Sequence, residues 1–127
     1  MLKYARNPKH GKSVKVYGRN LRISTKHSVE ISRAISNTTL AKSKRILQNL
    51  VDKKAGIDGK YYTKASGEML DLIKSGESNA EFKGLEPEKM IVHASAHQGF
   101  SYFTPRRFKL ARKRSHITNI QIVLEER

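Results

Sequence analysis

The chain has 127 residues, with 26 Lys or Arg against 11 Asp or Glu, a net charge of +15 and a pI near 10.3. It lacks Cys and Trp and is only 37% hydrophobic, which excludes disulfides, thiolate catalysis and Cys-based zinc sites and argues against a deep enclosed substrate cavity. No apolar run exceeds three residues, so nothing reads as a membrane span, and Met1–Arg6 lacks the apolar stretch of a secretory signal.

Residues 1–13 read as an extended arm without a core-facing pattern. From Ser13 to Ile23, Val14, Val16, Leu21 and Ile23 alternate with polar residues, which predicts a strand bent at Gly18. Ser24 stands where an N-cap belongs, before a short helix carrying Val29, Ile31, Ala34 and Ile35 that Asn37 closes in the left-handed conformation. Thr39 caps a second helix, with Leu40, Ile46, Leu47, Leu50 and Val51 as its apolar stripe, running to about Lys54. Residues 55–59 form a loop. A third helix runs from about Lys64 to Lys83 with the stripe Ala65, Met69, Leu72, Ile73, Gly76 and Ala80; the small residues at 76 and 80 imply close approach of another element. Gly84 stops it, and Glu86-Pro87 opens the next turn. The last third changes period: Met90, Val92, Ala94 and Ala96, then Ile120, Ile122 and Leu124, alternate as half-buried strands do. This order predicts an α+β fold, with three helices packed on a small antiparallel sheet and a long protruding β-hairpin. The whole of 1–127 reads as one domain, divided into a basic arm (1–13), a body (14–98 and 115–127) and the extended hairpin (99–114).

Placing Val92 opposite Val123 or Ile122 puts the turn near Arg107 and leaves each arm extending ~30 Å past His97, at ~3.3 Å per residue. A body this small cannot cover such a projection, and two-stranded ribbons are marginal in water. Phe100, Tyr102, Phe103 and Phe108 are interleaved there with cations. Such rings either stack on unpaired bases or pack within the ribbon.

The charge is unevenly distributed. Residues 1–27 carry eight cations, Lys3, Arg6, Lys9, Lys12, Lys15, Arg19, Arg22 and Lys26, and no acid. Residues 28–98 are nearly balanced. No carboxylate stands between Glu88 and Glu125, yet Arg106, Arg107, Lys109, Arg112, Lys113 and Arg114 fall within nine positions. Acid-free clusters repel themselves unless a polyanion neutralises them, so nucleic acid is the expected partner and these cations, with Arg6, Lys12, Lys15, Arg19, Arg22 and Lys26, its expected contacts. An anionic membrane fits less well, because Gly99, Thr104 and Pro105 interrupt any amphipathic helix.

Other chemistry fails on spacing. His93 and His97 lie ~13 Å apart along a strand, too far to share a metal, and His116 reads as a strand-edge hydrogen bonder. Gly11-Lys12-Ser13 lacks the earlier glycine of a phosphate loop. Asn37-Thr38-Thr39 is a formal glycosylation sequon without a secretory route. Glu68, Asp71, Glu77 and Glu81 sit beside the third helix's apolar stripe as solvated charges. No nucleophile, base and orienting group converge, so neither a catalytic residue, a metal nor a cofactor is expected.

Four phrases carry a family resemblance. His27-Ser28-Val29-Glu30-Ile31-Ser32-Arg33-Ala34-Ile35 resembles the first helix, and Glu77-Ser78-Asn79-Ala80-Glu81-Phe82-Lys83-Gly84-Leu85 the helix-three hallmark, of the universal large-subunit ribosomal protein twenty-two family in its archaeal and eukaryotic branch, seventeen in the eukaryotic count. Ile91–Gly99 and Ile120–Glu126 are similar to its hairpin strands. The resemblance implies a cytoplasmic structural protein of the large ribosomal subunit, bound to large-subunit rRNA and neighbouring ribosomal proteins, neither membrane-bound nor homo-oligomeric. Its hairpin tip, here Pro105, Arg106, Arg107 and Phe108, would line the nascent-peptide tunnel, with Lys109, Arg112, Lys113 and Arg114 on the returning arm. The chain departs from the pattern at Phe108-Lys109-Leu110, where relatives usually have Phe-Gly-Arg, and its loop between the second and third helices is shorter. A free-standing basic nucleic-acid-binding regulator is the alternative, and an RNA-modifying enzyme a more distant one.

Overall fold

A computed structural model describes residues 2–8 and 11–127; Met1, Lys9 and His10, part of the expected arm, lie outside the described residues. In chain order the elements are β1 (Ser13–Leu21), α1 (Thr25–Ile35), β2 (Thr38–Thr39), α2 (Leu40–Val51), α3 (Thr63–Phe82), a 3-10 turn (Pro87–Lys89), β3 (Met90–Phe103) and β4 (Arg114–Glu126). The strands form one antiparallel sheet in the order β1-β4-β3-β2. β2 was not expected: Thr38 and Thr39 pair with Val92 and Ile91 before Thr39 opens α2. Ser24 and Thr39 hold the N-cap positions of α1 and α2, but neither side chain caps a backbone N–H. Asn37 adopts the expected left-handed backbone at φ +62°, and α2 ends at Val51, three residues short of Lys54.

Val14 and Val16, Ile120, Ile122 and Leu124, and Met90 and Val92 line one face of the sheet and are buried there with Ile31 and Ile35 of α1 and Met69, Ile73 and Ala80 of α3. Leu40, Leu47 and Leu50 of α2 join the same cluster. The α3 stripe also includes Ser66 and Leu70, while Leu72 is only partly buried. Gly76 makes the expected close approach: a Cβ there would stand 2.9 Å from Leu124 Cδ1 and 3.0 Å from Val16 Cγ2. A Lys44–Glu77 ion pair ties α2 to α3.

The register differs by one or two residues from the expected one. Val92 pairs with Leu124, not with Val123 or Ile122. A shift of one residue would turn one strand's apolar set away from the helices, and burial of Val92 and Leu124 on the same face decides the matter. Gln121 and Val123 are buried too, on the opposite face. The arm covers them. The Ala5 N–H donates to Gln121 Oε1 (3.0 Å), and Gln121 Nε2 donates to the Lys3 carbonyl (2.9 Å). Tyr4 packs edge-on against Tyr17 of β1, which stacks with His97 of β3. The arm therefore has a docking face after all, made by hydrogen bonds and rings rather than by an apolar stripe.

Candidate nucleic-acid interface

Past Thr118, β4 loses β1 as a neighbour, because the β1 ladder ends at Leu21↔Thr118. A bulge between Gln98 and Ser101 marks the same point on β3. Gly99 lies in it, where a Cβ would meet the Ile117 carbonyl at 3.0 Å. Bulges bend and re-aim a strand, and glycine suits so close an approach of backbone. Beyond it, Ser101, Tyr102 and Phe103 pair only with His116, Ser115 and Arg114. This two-stranded finger is shorter than the expected nine residues per arm. Its ladder stops at Phe103, six residues past His97, and residues 104–113 form the tip.

The tip is a closed turn. The Thr104 hydroxyl shares its one proton between the carbonyls of Leu110 (2.7 Å) and Lys113 (3.1 Å), and the Thr104 N–H reaches the Lys113 carbonyl at 3.2 Å. The Ala111 N–H bonds back to the Arg107 carbonyl in one helical turn. Arg112 then carries φ +65°, a left-handed backbone that favours glycine. Thus the sequence lacks a glycine in the tip, and an arginine takes the strained position.

Side chains of this finger face water. Phe100 is 60%, Phe103 69% and Phe108 101% exposed, with Tyr102 at 36%. Pro105, Arg106, Arg107, Lys109, Arg112 and Lys113 are exposed as well. Arg114 lies 4.9 Å from the Phe103 ring centroid in a cation–π contact. Among the described residues, none of the six cations from Arg106 to Arg114 pairs with a carboxylate.

The N-terminal cations separate into two groups. Arg6 is held by the body, its Nε and Nη2 donating to Glu125 Oε2 at 3.2 and 2.9 Å. Lys15 stands over the Tyr4 ring at 5.2 Å. Lys12, Arg19, Arg22 and Lys26 are exposed, without such contacts among the described residues, and Arg22 and Lys26 stand beside the root of the finger, near Gln98, Tyr102 and His116. Gln98 Nε2 lies 3.0 Å from His116 Nδ1, matching the strand-edge role expected of His116. The structure also places His27, Lys60, Tyr62 and Lys64 next to Arg22. Sequence reasoning passed over these four because they lie in a loop and at helix starts, where no periodicity points to a surface.

His93 lies near Arg6 and Glu125, with Nε2 3.7 Å from Glu125 Oε2. Burial, and then the Arg6 charge, hold its imidazole below the ordinary 6.5, although Glu125 pulls the other way. Among the described residues no group of His, Asp and Glu is arranged to hold a metal ion, and no helix is long and apolar enough to cross a membrane.

Residues 16–125 match the family model described as ribosomal protein L22p/L17e. The chain belongs to that family. It is similar to the large ribosomal subunit protein uL22 of Methanococcus aeolicus, 32% identical with 98% of this chain and 97% of the relative covered. The large ribosomal subunit protein uL22 of Archaeoglobus fulgidus is also 32% identical, over 99% of this chain and 97% of its own. That of Methanosphaera stadtmanae is 33% identical, over 97% and 96%. The first of these alignments runs over 148 positions, more than the 127 residues here, so that relative carries segments this chain lacks. Family membership makes the chain a ribosomal protein with a structural, non-enzymatic role.

Proposed function

We propose that this chain is a cytoplasmic structural constituent of the large ribosomal subunit that binds large-subunit rRNA, with its finger reaching the nascent-peptide exit tunnel. The observation that carries this reading is the finger itself: exposed rings and unpaired cations on a two-stranded ribbon that the body leaves uncovered. Fixing a ribbon of this kind in one position takes a partner, and closely spaced cations need a polyanion. Arg106, Arg107, Lys109, Arg112, Lys113 and Arg114 meet rRNA phosphates, together with Lys12, Lys15, Arg19, Arg22 and Lys26 on the body. Arg6 reaches rRNA only beside Glu125, with its charge partly answered. Phe100, Tyr102, Phe103 and Phe108 stack on unpaired bases, and Pro105 to Phe108 face the tunnel and the nascent peptide. The arm, body and finger act as one domain bordered by neighbouring large-subunit proteins.

A tagged copy followed through a sucrose gradient should travel with the large subunit; migration only as free protein would overturn the proposal. In the isolated chain, protease should cut within residues 99–114, and in the particle that stretch should be protected. Equal resistance in both states would show that the finger needs no RNA. A photo-crosslinking residue at position 108 should capture a stalled nascent chain, and capture of rRNA alone would remove the tunnel assignment.

A further inference from the structure

The turn Arg22–Ser24 between β1 and α1 separates two open clefts, of about 540 Å³ and 600 Å³. Both fall in the range of ligand-sized sites, roughly 300–1,000 Å³. The first, at the root of the finger, is bordered by Arg22, Lys26, Gln98, Tyr102 and His116. The second is bordered by Arg22, His27, Lys60, Tyr62 and Lys64. Arg22, Ile23 and Ser24 border both, so the two clefts adjoin across this turn. No carboxylate lines either of them among the described residues.

We infer that these two clefts form one track for unpaired RNA, a base entering each and its phosphates meeting Arg22, Lys26, Lys60 and Lys64. The inference rests on the rRNA-binding reading above and deepens it by adding His27, Lys60, Tyr62 and Lys64 and by joining them to the root of the finger in one path. Each cleft pairs cations with rings, as sites for single strands do. Tyr102 borders the first. In the second, His27 and Tyr62 have ring centroids 4.6 Å apart, tilted by 39°. Tyr62 holds φ +45°, a left-handed backbone that is an outlier for so bulky a residue. Strain of this sort persists where the surroundings impose it and gathers at binding sites; here the Tyr62 ring lies against His27 and packs partly on the core. A duplex would offer these clefts phosphates alone, because its bases are stacked away from the rings.

The test uses the full chain and a fluorescent oligouridylate, with affinity measured against salt. Lys60→Ala with Lys64→Ala removes two charges from the second cleft. Lys42→Ala with Arg45→Ala removes two from the exposed side of α2, giving the same net charge. The first pair should lower the log–log salt slope by about 1.4, at about 0.7 per single-strand phosphate contact, and the second should leave it unchanged. Equal loss in both pairs would reduce the effect to net charge and overturn the track. Ultraviolet crosslinking of the unaltered chain should attach uridine to the peptides bearing Tyr62 and Tyr102; crosslinks confined to the finger tip would overturn the two clefts. A duplex of equal length that binds as tightly, with the same dependence on Lys60 and Lys64, would overturn the requirement for unpaired bases. Gradient sedimentation separates the two levels: a chain that travels with the large subunit but fails these tests loses the track and keeps its ribosomal role.

Discussion

The same two strands, β3 and β4, live under two regimes. From Met90 to Gln98 and from Thr118 to Glu126 they run through the body, where β1 extends the sheet beyond β4, helices cover one face and the arm covers part of the other. From Ser101 to Phe103 and from Arg114 to His116 they have only each other. Pairing alone is therefore not what separates a stable sheet from a marginal ribbon; covered faces are. Leu124 is fully buried and Phe108 fully exposed, although both are large and apolar. Burial makes the first a structural residue and leaves the second available for a partner.

The contrast is sharpest in stability. Leu124→Ala should cost about 2–5 kcal/mol, as buried truncations do, whereas Phe108→Ala should stay within about 0.5 kcal/mol, as at an unconstrained surface. Urea unfolding of the two variants compares them directly, and similar losses would mean that the tip packs onto the body. Next in size is the seam between arm and sheet. Gln121→Ala removes both hydrogen bonds to the arm and should weaken docking by about 1–3 kcal/mol. Trypsin should then cut after Lys3 and Arg6 in the variant well before it does so in the parent chain.

A smaller effect comes from His93. Its folded value lies below 6.5, so the unfolded chain takes up this proton first as pH falls. Its contribution to stability is complete above 6.5 and is lost as pH drops through the folded value. His93→Gln should flatten that part of a melting-temperature profile; an unchanged profile would assign the slope to other groups. The smallest change is Arg112→Gly, which relieves the left-handed arginine but loosens the unfolded chain. A net shift of only a few tenths of a kcal/mol is expected, visible as slower hydrogen exchange at the Lys113 amide, which bonds to the Leu110 carbonyl.

Much of this contrast was legible in the sequence. The α3 stripe, the close contact at Gly76 and the strand alternation of Val92 and Ile122 come from side-chain periodicity, which burial imposes directly. What stayed hidden depends on contacts without period. Gln121 and Val123 looked like the solvent side of β4 because the arm that covers them binds through backbone groups. The register slipped because Ile122, Val123 and Leu124 are all apolar, and only the helices decide which of them face the core. The ten-residue tip depends on the Thr104 hydroxyl reaching two carbonyls, and neighbours in sequence do not announce such a clasp. The interface divides in the same way. Cation runs without acids stood out, whereas Lys60, Lys64, His27 and Tyr62 meet Arg22 only through tertiary folding.

The glycine at position 76 has a mechanical consequence. α3 is 20 residues long, about 30 Å at 1.5 Å per residue, and at Gly76 it leaves no room for a side chain against Leu124 and Val16 of the sheet. A methyl group there would press on Leu124 Cδ1 and Val16 Cγ2, so either those side chains or the helix must shift. Where the helix is what gives, a substitution touching no polyanion would displace Lys64, about three turns away.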